Sequence, residues 1–316
     1  MTQSSMTDNL SANVDVRPAA NRNITRNFAI ATVGITSIGA LIAALQIYNS
    51  DVGTMELVLL AVFYIPTALG IEAGFHRYFS HNAFRGGLFI TWMLGIWGSM
   101  AAQGPVLFWA STHRKHHSAT DLPDDPHSPH IHGNSFSERV KGFAWSHMGW
   151  LFGKNMVSWA KYAPDLLRKR EIISINQSYF IWVLLGLFLP TCIGGLYTLS
   201  WEGAFNGFIW GGLFRIFLLD HVTWAVNSLG HTLGKQPHGS KDKSRNIAWL
   251  CLPSVGGSWH NNHHAFPIGA RNDHQSRFQI DISGLFIEFL GVIGLVDNIK
   301  RYNEKIKEVN HEHPSH

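Results

Sequence analysis

The chain has 316 residues, of which 46% are apolar and only 15% charged, against roughly 25% charged residues in an ordinary soluble domain. That deficit excludes a simple soluble globule, and the two cysteines, Cys192 in an apolar run and Cys251, exclude a disulfide framework and a thiolate zinc site. The net charge of +4 comes with basic residues beside apolar runs and without a recognisable nucleic-acid-binding module. Membrane headgroups or an acidic partner fit that charge, and nucleic acid does not.

Residues 1–27 are polar, with Arg17, Arg22 and Arg26 ahead of the first apolar run and no signal-peptide pattern, which predicts a disordered cytoplasmic leader. Apolar runs near the roughly 20 residues that cross a bilayer follow at 28–48, 55–75, 88–110, 176–197 and 203–222. Histidine clusters punctuate them: His76-Arg-Tyr-Phe-Ser-His81 after the second run, His113-Arg-Lys-His116-His117 after the third, Asn227-Ser-Leu-Gly-His231 after the fifth, then His260-Asn-Asn-His263-His264. Histidines at i, i+3 and i+4 share one helical face, so His113, His116 and His117 aim at one place, as do His260, His263 and His264. The two histidines of the first box are five residues apart and nearly half a turn out of phase on an α-helix. The helix is therefore expected to end or unwind inside that box.

All boxes must meet on one side of the membrane, so the chain between the first and second boxes crosses an even number of times. The run 88–110, with Gly95, Gly98, Gln103, Gly104 and Pro105, then reads as an interfacial or re-entrant segment. The other four runs form two hairpins. Their short connections at 49–54 and 198–202 lack Lys and Arg, whereas the box-bearing side carries Arg77, Arg85, Arg114, Lys115, Arg139, Lys141, Lys154, Lys161 and Arg168-Lys169-Arg170. This asymmetry places the boxes and both termini in the cytoplasm. The expected fold is an all-α integral membrane domain over 28–296, with four transmembrane helices in two hairpins under a cytoplasmic helical cap that holds a di-metal site. A polar tail over 297–316 follows, and no internal repeat or second domain is visible.

Nine histidines, His76, His81, His113, His116, His117, His231, His260, His263 and His264, together with Asn227, exceed what one tetrahedral or octahedral ion accepts, so two metals are the natural reading. Imidazole alone does not choose iron over zinc or copper. Ligating imidazoles need acceptors for their other nitrogen, for which Asp121, Asp124, Asp125 and Asp273 are candidates. His127, His130, His132, His147, His221, His238 and His274 read as structural. Glu72 and Asp220-His221 are ionisable groups in apolar runs and read as support for the site or as interfacial residues. Tyr64, Ala68, Glu72 and His76 recur every fourth residue and trace a stripe from mid-membrane to the metal ligands.

The order HRYFSH, HRKHH, NSLGH, HNNHHAFP resembles the integral-membrane fatty acyl desaturases of the stearoyl-CoA (delta-9) type, bacterial members above all. Thr67-Ala-Leu-Gly-Ile71, Asp125-Pro-His127, Ser146-His-Met-Gly-Trp150 and Gln279-Ile-Asp-Ile-Ser283 extend the likeness over about 62–296. The resemblance implies that the nine histidines bind two iron ions, with Asn227 reaching one through water. It implies dioxygen-dependent formation of a cis double bond, at delta-9, in a long-chain saturated acyl group on CoA or lipid, in a bacterial inner membrane. Tyr64 and Ala68 would close the acyl tunnel, and Arg114, Lys115 and Lys154 are headgroup-binding candidates. With no dinucleotide fingerprint, no cysteine cluster and a short tail after Asp297, electrons are expected from a separate ferredoxin, rubredoxin or cytochrome b5-like protein with its reductase. The competing readings are a membrane di-iron hydroxylase, a histidine-rich metal transporter and a haem-bearing electron carrier.

Overall fold

The computed structural model describes residues 19–153, 157–276 and 278–302. Four helical segments are long and apolar enough to cross a bilayer, at Thr25–Tyr48, Thr54–Ser80, Tyr179–Thr198 and Trp201–His231. They are the four runs expected to span. The first begins inside helix α1 (Ala19–Tyr48), so helix already covers residues 19–27 of the expected leader, where no Gly or Pro interrupts it. Residues 1–18 lie outside the described residues. Helix α2 (Thr54–Leu69) continues without a break into a wider, π-helical stretch at Gly70–Ser80.

After the strand β1 (Arg85–Gly86), the ambiguous run resolves into two short helices, α3 (Leu88–Met100) and α4 (Val106–Ser118), joined by a tight turn. Ala102 and Gly104 take φ of 62° and 99° in that turn, and the Gly104 N–H donates to the Tyr179 hydroxyl at 2.9 Å. One face of α3, with Ile90 and Leu94, is buried, while Leu88 and Phe89 are exposed, as an interfacial helix requires. Gly70 and Gly98 let α3 lie directly on the π-helical stretch, because a Cβ on Gly70 would stand 2.2 Å from the Gly98 nitrogen.

The cap is completed by α5 (Phe136–His147), α6 (Arg170–Gln177) and single turns between them. The second hairpin pairs α7 (Tyr179–Thr198) with α8 (Trp201–Gly207), which runs through a second π-helical stretch at Phe208–Phe214 into α9 (Arg215–Ser228). Ile38, Leu41, Phe188 and Leu196 stay exposed on the spans, the surface a lipid solvent covers. Beyond them lie α10 (His260–Ala265), α11 (Ile282–Val292) and the strand β2 (Val296–Asp297), which pairs antiparallel with β1. The start of the expected tail therefore belongs to the cap, since Lys300 N–H donates to the Ala83 carbonyl at 2.9 Å and Ala270 N–H to the Lys300 carbonyl at 2.8 Å.

Between the first box and α11, the buried Arg77 guanidinium donates to both Asp281 carboxylate oxygens, at 2.7 and 2.9 Å, and to Glu72. Asp281 in turn accepts from the Gly284 N–H at the start of α11. The main core lies beside this pair and includes Phe75, Phe79, Leu94 and Leu107.

Candidate metal centre

The helix ends inside the first box, at Ser80, as expected, but it does not unwind before that. It widens: the His81 N–H donates to the His76 carbonyl at 3.2 Å, and the Ser80 hydroxyl to the Phe75 carbonyl at 2.7 Å, both five residues back. On an α-helix residues five apart diverge by about 140°, whereas i→i+5 bonding lengthens the turn and returns the fifth residue toward the same face. The imidazoles of His76 and His81 accordingly sit with ring centroids 5.1 Å apart. Helix α4 supplies His113, His116 and His117, α10 supplies His260, His263 and His264, and a single turn at Leu229–His231 closes the fourth span with His231.

All nine histidines converge, in two groups. His76, His81, His113, His117 and His263 form one, and His116, His231, His260 and His264 the other, with the ligand atoms of each within 4.8 Å of one another. In the first, Nε2 faces Nε2 between His81 and His113 at 2.8 Å, His263 and His117 at 2.9 Å, and His76 and His263 at 3.0 Å. In the second the same holds for His231 and His260 at 2.9 Å and for His264 and His260 at 3.1 Å.

Carboxylates on the far side of four of the rings bear on what their Nε2 atoms carry. His116 Nδ1 lies 2.9 Å from Asp125, His231 Nδ1 3.0 Å from Asp121, His264 Nδ1 3.3 Å from Asp242, and His76 Nδ1 2.9 Å from Glu72. A neutral imidazole that donates through Nδ1 presents a lone pair at Nε2. Convergent lone pairs about 3 Å apart in a buried space repel unless a cation lies between them, so the donor set fits two metal ions.

The ionisation of the rings agrees with that fit. Burial, reinforced by the neighbouring rings, holds His81, His113, His117, His260, His263 and His264 well below the usual histidine range, so they stay neutral. Burial also lowers His116, but Asp125 outweighs it and the net direction is upward. Burial would raise Asp121 and Asp125, yet His231 and His116 respectively leave both below the usual carboxylate range. His127 stacks on His116 with centroids 4.5 Å apart and is pushed down to about 3, chiefly by burial.

Of the proposed acceptors, Asp121 and Asp125 meet box histidines. Asp273 does not, because it pairs with Arg271. Asp124 lines a surface cavity with Arg26 and Lys115. Asp242 was not anticipated. Its one sequence signal is that it is the single acid in the basic loop Lys241-Asp-Lys-Ser-Arg245. The structural histidines mostly find partners elsewhere: His130 meets the His231 carbonyl at 2.8 Å, His147 meets His221 at 3.0 Å, and His238 meets His274 at 3.3 Å.

Two cavities adjoin the centre. A larger one of about 270 Å³ is lined by Gln103, Trp109, His113, Asp220, Thr223 and Asn227, among others, and reaches Phe28 of α1. A smaller one of about 50 Å³ is lined by Ala68, Ile71, Glu72, His76 and Val226, among others, and it shares Trp109, His113, Thr223 and Asn227 with the first. The Tyr64 hydroxyl donates to the Pro253 carbonyl at 2.7 Å. Asp220 is buried and its Oδ1 has no hydrogen-bond partner.

Arg114 faces inward, with its guanidinium donating to Asp165 and to the carbonyls of Phe79, Ser80 and Tyr162. All five N–H groups are thereby taken. This clamps α4 to the end of the first box and leaves no donor for a substrate headgroup. Lys154 lies outside the described residues.

The fatty acid desaturase family profile matches residues 55–279, a stretch that contains all nine histidines, Asn227 and the four orienting carboxylates. The chain is 38% identical to a hex-5-enoyl-[acyl-carrier protein] acetylenase of Moorena producens, across 90% of this chain and 88% of that protein. It is 32% identical to an sn-1 stearoyl-lipid 9-desaturase of Anabaena variabilis, across 78% of this chain and 85% of the relative. A second sn-1 stearoyl-lipid 9-desaturase, from Synechocystis, is 35% identical across 76% of this chain and 70% of its own length. The chain, with its four apolar spans and clustered imidazoles, belongs to the fatty acid desaturase family.

Proposed function

We propose that the protein introduces a cis double bond, at delta-9, into a long-chain saturated acyl group, using dioxygen and two external electrons. The observation that carries this reading is the pair of buried imidazole clusters lying against two cavities that share Trp109, His113 and Asn227. Two iron ions, one among His76, His81, His113, His117 and His263 and one among His116, His231, His260 and His264, would supply the dioxygen chemistry that an unactivated methylene pair requires. Asn227 would reach one of the two ions through water.

The balance is fixed by the chemistry. One dioxygen, two electrons and two protons combine with the two hydrogens of a –CH2–CH2– pair to leave –CH=CH– and two waters. The chain's own task is to hold one methylene pair, with the acyl chain bent there as a cis product requires, against the clusters and to keep bulk water out. Trp109 serves the first purpose, since its ring stacks on His113 with centroids 5.1 Å apart and lines both cavities. Ala68 closes the smaller cavity, and Tyr64 fixes the helix one turn further into the membrane through its bond to Pro253.

A membrane lipid is the favoured acyl carrier, since the Anabaena and Synechocystis relatives are named for stearoyl-lipid. CoA and an acyl-carrier protein, for which the Moorena relative is named, are the other carriers we keep, with Lys115 as the remaining described headgroup candidate. A second reading, formation of a triple bond from an existing double bond, is favoured by the acetylenase relative, which matches 90% of the chain. We place the protein in a bacterial inner membrane with the imidazole clusters on the cytoplasmic side, on the basic bias of that face.

The test is expression in a host supplied with a ferredoxin and its reductase, followed by gas chromatography and mass spectrometry of fatty acids released separately from lipid and thioester pools. New delta-9 cis-monounsaturated acids are expected, and they should vanish in His113→Ala and His263→Ala. Hydroxy acids as the main product would replace desaturation by hydroxylation, and triple bonds formed only when unsaturated acids are fed would establish the acetylenase reading.

A further inference from the structure

Between the fourth span and the His260–His264 box, one loop faces both solvent and the metal centre. Lys235, Lys241 and Lys243 are exposed on it, and among the described residues none of the three lies in an ion pair with a carboxylate. Asp242, between two of these lysines, points the other way. Its Oδ2 accepts from His264 Nδ1 at 3.3 Å, its Oδ1 accepts from the Ser244 N–H at 2.8 Å and from the Ser244 hydroxyl, and its carbonyl accepts from Gln236 at 2.7 Å. The next residue continues the pattern, because the Lys243 N–H donates at 2.8 Å to the Asp121 oxygen that also meets His231 Nδ1 at 3.0 Å.

The same short segment thus presents positive charge outward and touches the acceptors of two of the four rings in the second cluster. Asp242 is also the most exposed of the three carboxylates that orient this cluster. Its side chain is 15% accessible, against 6% for Asp121 and 0% for Asp125. A bonded route from solvent to those rings therefore starts beside Lys241 and Lys243 and runs through Asp242 to His264. The loop is held in place from below: Asn261 donates to the Ser240 and Ser244 hydroxyls, at 3.0 and 3.1 Å, and accepts from the His238 N–H at 2.8 Å. A docking event on the loop would meet a surface braced against the His260–His264 box.

We propose that this loop is the docking surface for an acidic, one-electron carrier protein, which delivers electrons toward the imidazole clusters by way of Asp242 and His264. The proposal rests on the desaturase reading above. Two reduced carriers would each lose one electron per turnover, and those two electrons, two protons and the two acyl hydrogens account for the reduction of one dioxygen to two waters.

The experiment uses the full chain in nanodiscs and three acidic probes, a plant-type ferredoxin, a rubredoxin and a cytochrome b5. The triple charge reversal Lys235→Glu/Lys241→Glu/Lys243→Glu is compared with Arg168→Glu/Lys169→Glu/Arg170→Glu, an exposed basic run elsewhere on the cap. Association rate and affinity are measured at low and high salt, with circular dichroism and metal content as checks that both variants are folded and loaded. For at least one probe the loop reversal is expected to slow association roughly ten- to hundred-fold at low salt, with the gap closing as salt screens it. The control reversal should change it much less. Equal effects from both reversals, or no effect of the loop reversal on any of the three probes, would overturn the docking proposal. That result would leave the desaturase reading standing if the wild-type protein still makes unsaturated acids, whereas absence of any new lipid product with all three reduced probes would overturn the reading itself.

Discussion

At the scale of single residues, the site joins four rings whose Nδ1 faces a carboxylate, His76, His116, His231 and His264, to five that face mainly other rings. His81, His113, His117, His260, His263 and His264 are all held well below the ordinary histidine value by burial and then by one another. An unfolded chain titrates its histidines near about 6.5, so below that pH it binds more protons than the folded protein. Stability of the metal-free protein should therefore be full above about pH 6.5 and fall as pH drops through it. His116 works in the opposite sense, since Asp125 raises it, but one ring does not offset six. Asp121 and Asp125, which are depressed, add stability that is present above about pH 4 and lost below it. Thermal unfolding of chelator-treated protein between pH 8 and pH 5 checks this, and a flat profile would contradict it. The convergence of the histidines was legible in the sequence for the second box and for His260, His263 and His264, because the i, i+3, i+4 spacing puts each set on one helical face. Asp242 was not, because it reaches His264 from a loop 22 residues away in the chain, and no local period records such a contact.

At the scale of elements, the four spans and the interrupted run 88–110 were legible from length, apolar content and the Gly-Pro turn. The widening of the helix at Gly70–Ser80 was not. Two histidines five apart say that something must depart from an α-helix, but they do not distinguish unwinding from an extra residue per turn. What selects the latter here is packing, because a continuous helix keeps Gly70 and Gly74 against α3 and Arg77 against Asp281. Gly70→Ala is thus expected to be strongly destabilising, since its Cβ would meet the Gly98 nitrogen at 2.2 Å and the Trp97 carbonyl carbon at 2.4 Å. Gly34→Ala in α1, whose Cβ would meet nothing within 4 Å, should be neutral or gain up to about 1 kcal/mol from helix propensity. Thermal stability and expression level of the two variants, measured side by side, decide the point; equal behaviour would mean that α3 can move away freely.

At the scale of the whole molecule, both hairpins carry turns without Lys or Arg at one end and deliver histidines at the other. A cysteine placed at Ser50 should react with a membrane-impermeant thiol reagent added to intact cells. One placed at Lys169 should react only after the membrane is opened. Both are made in a background where Cys192 and Cys251 are serine, and the reverse pattern would invert the assigned orientation.

The meeting of two cavities at His113 and Asn227 has a consequence for how such an enzyme can change its product. An acyl group threaded through both is divided by the metal centre into two measured lengths, and different walls set each. On the proposed reading, the stretch from carboxyl end to reacting carbons would lie in the cavity lined by α1, the 101–105 turn and α9, and the stretch beyond in the one lined by Ala68 and Ile71. Position of the double bond and tolerated chain length are then separable traits. Ala68→Phe should shorten the longest chain accepted while leaving the double bond at the same distance from the carboxyl group, a pairing that product analysis with a ladder of saturated acids reads directly. A shift of both together would mean that one continuous wall does the measuring.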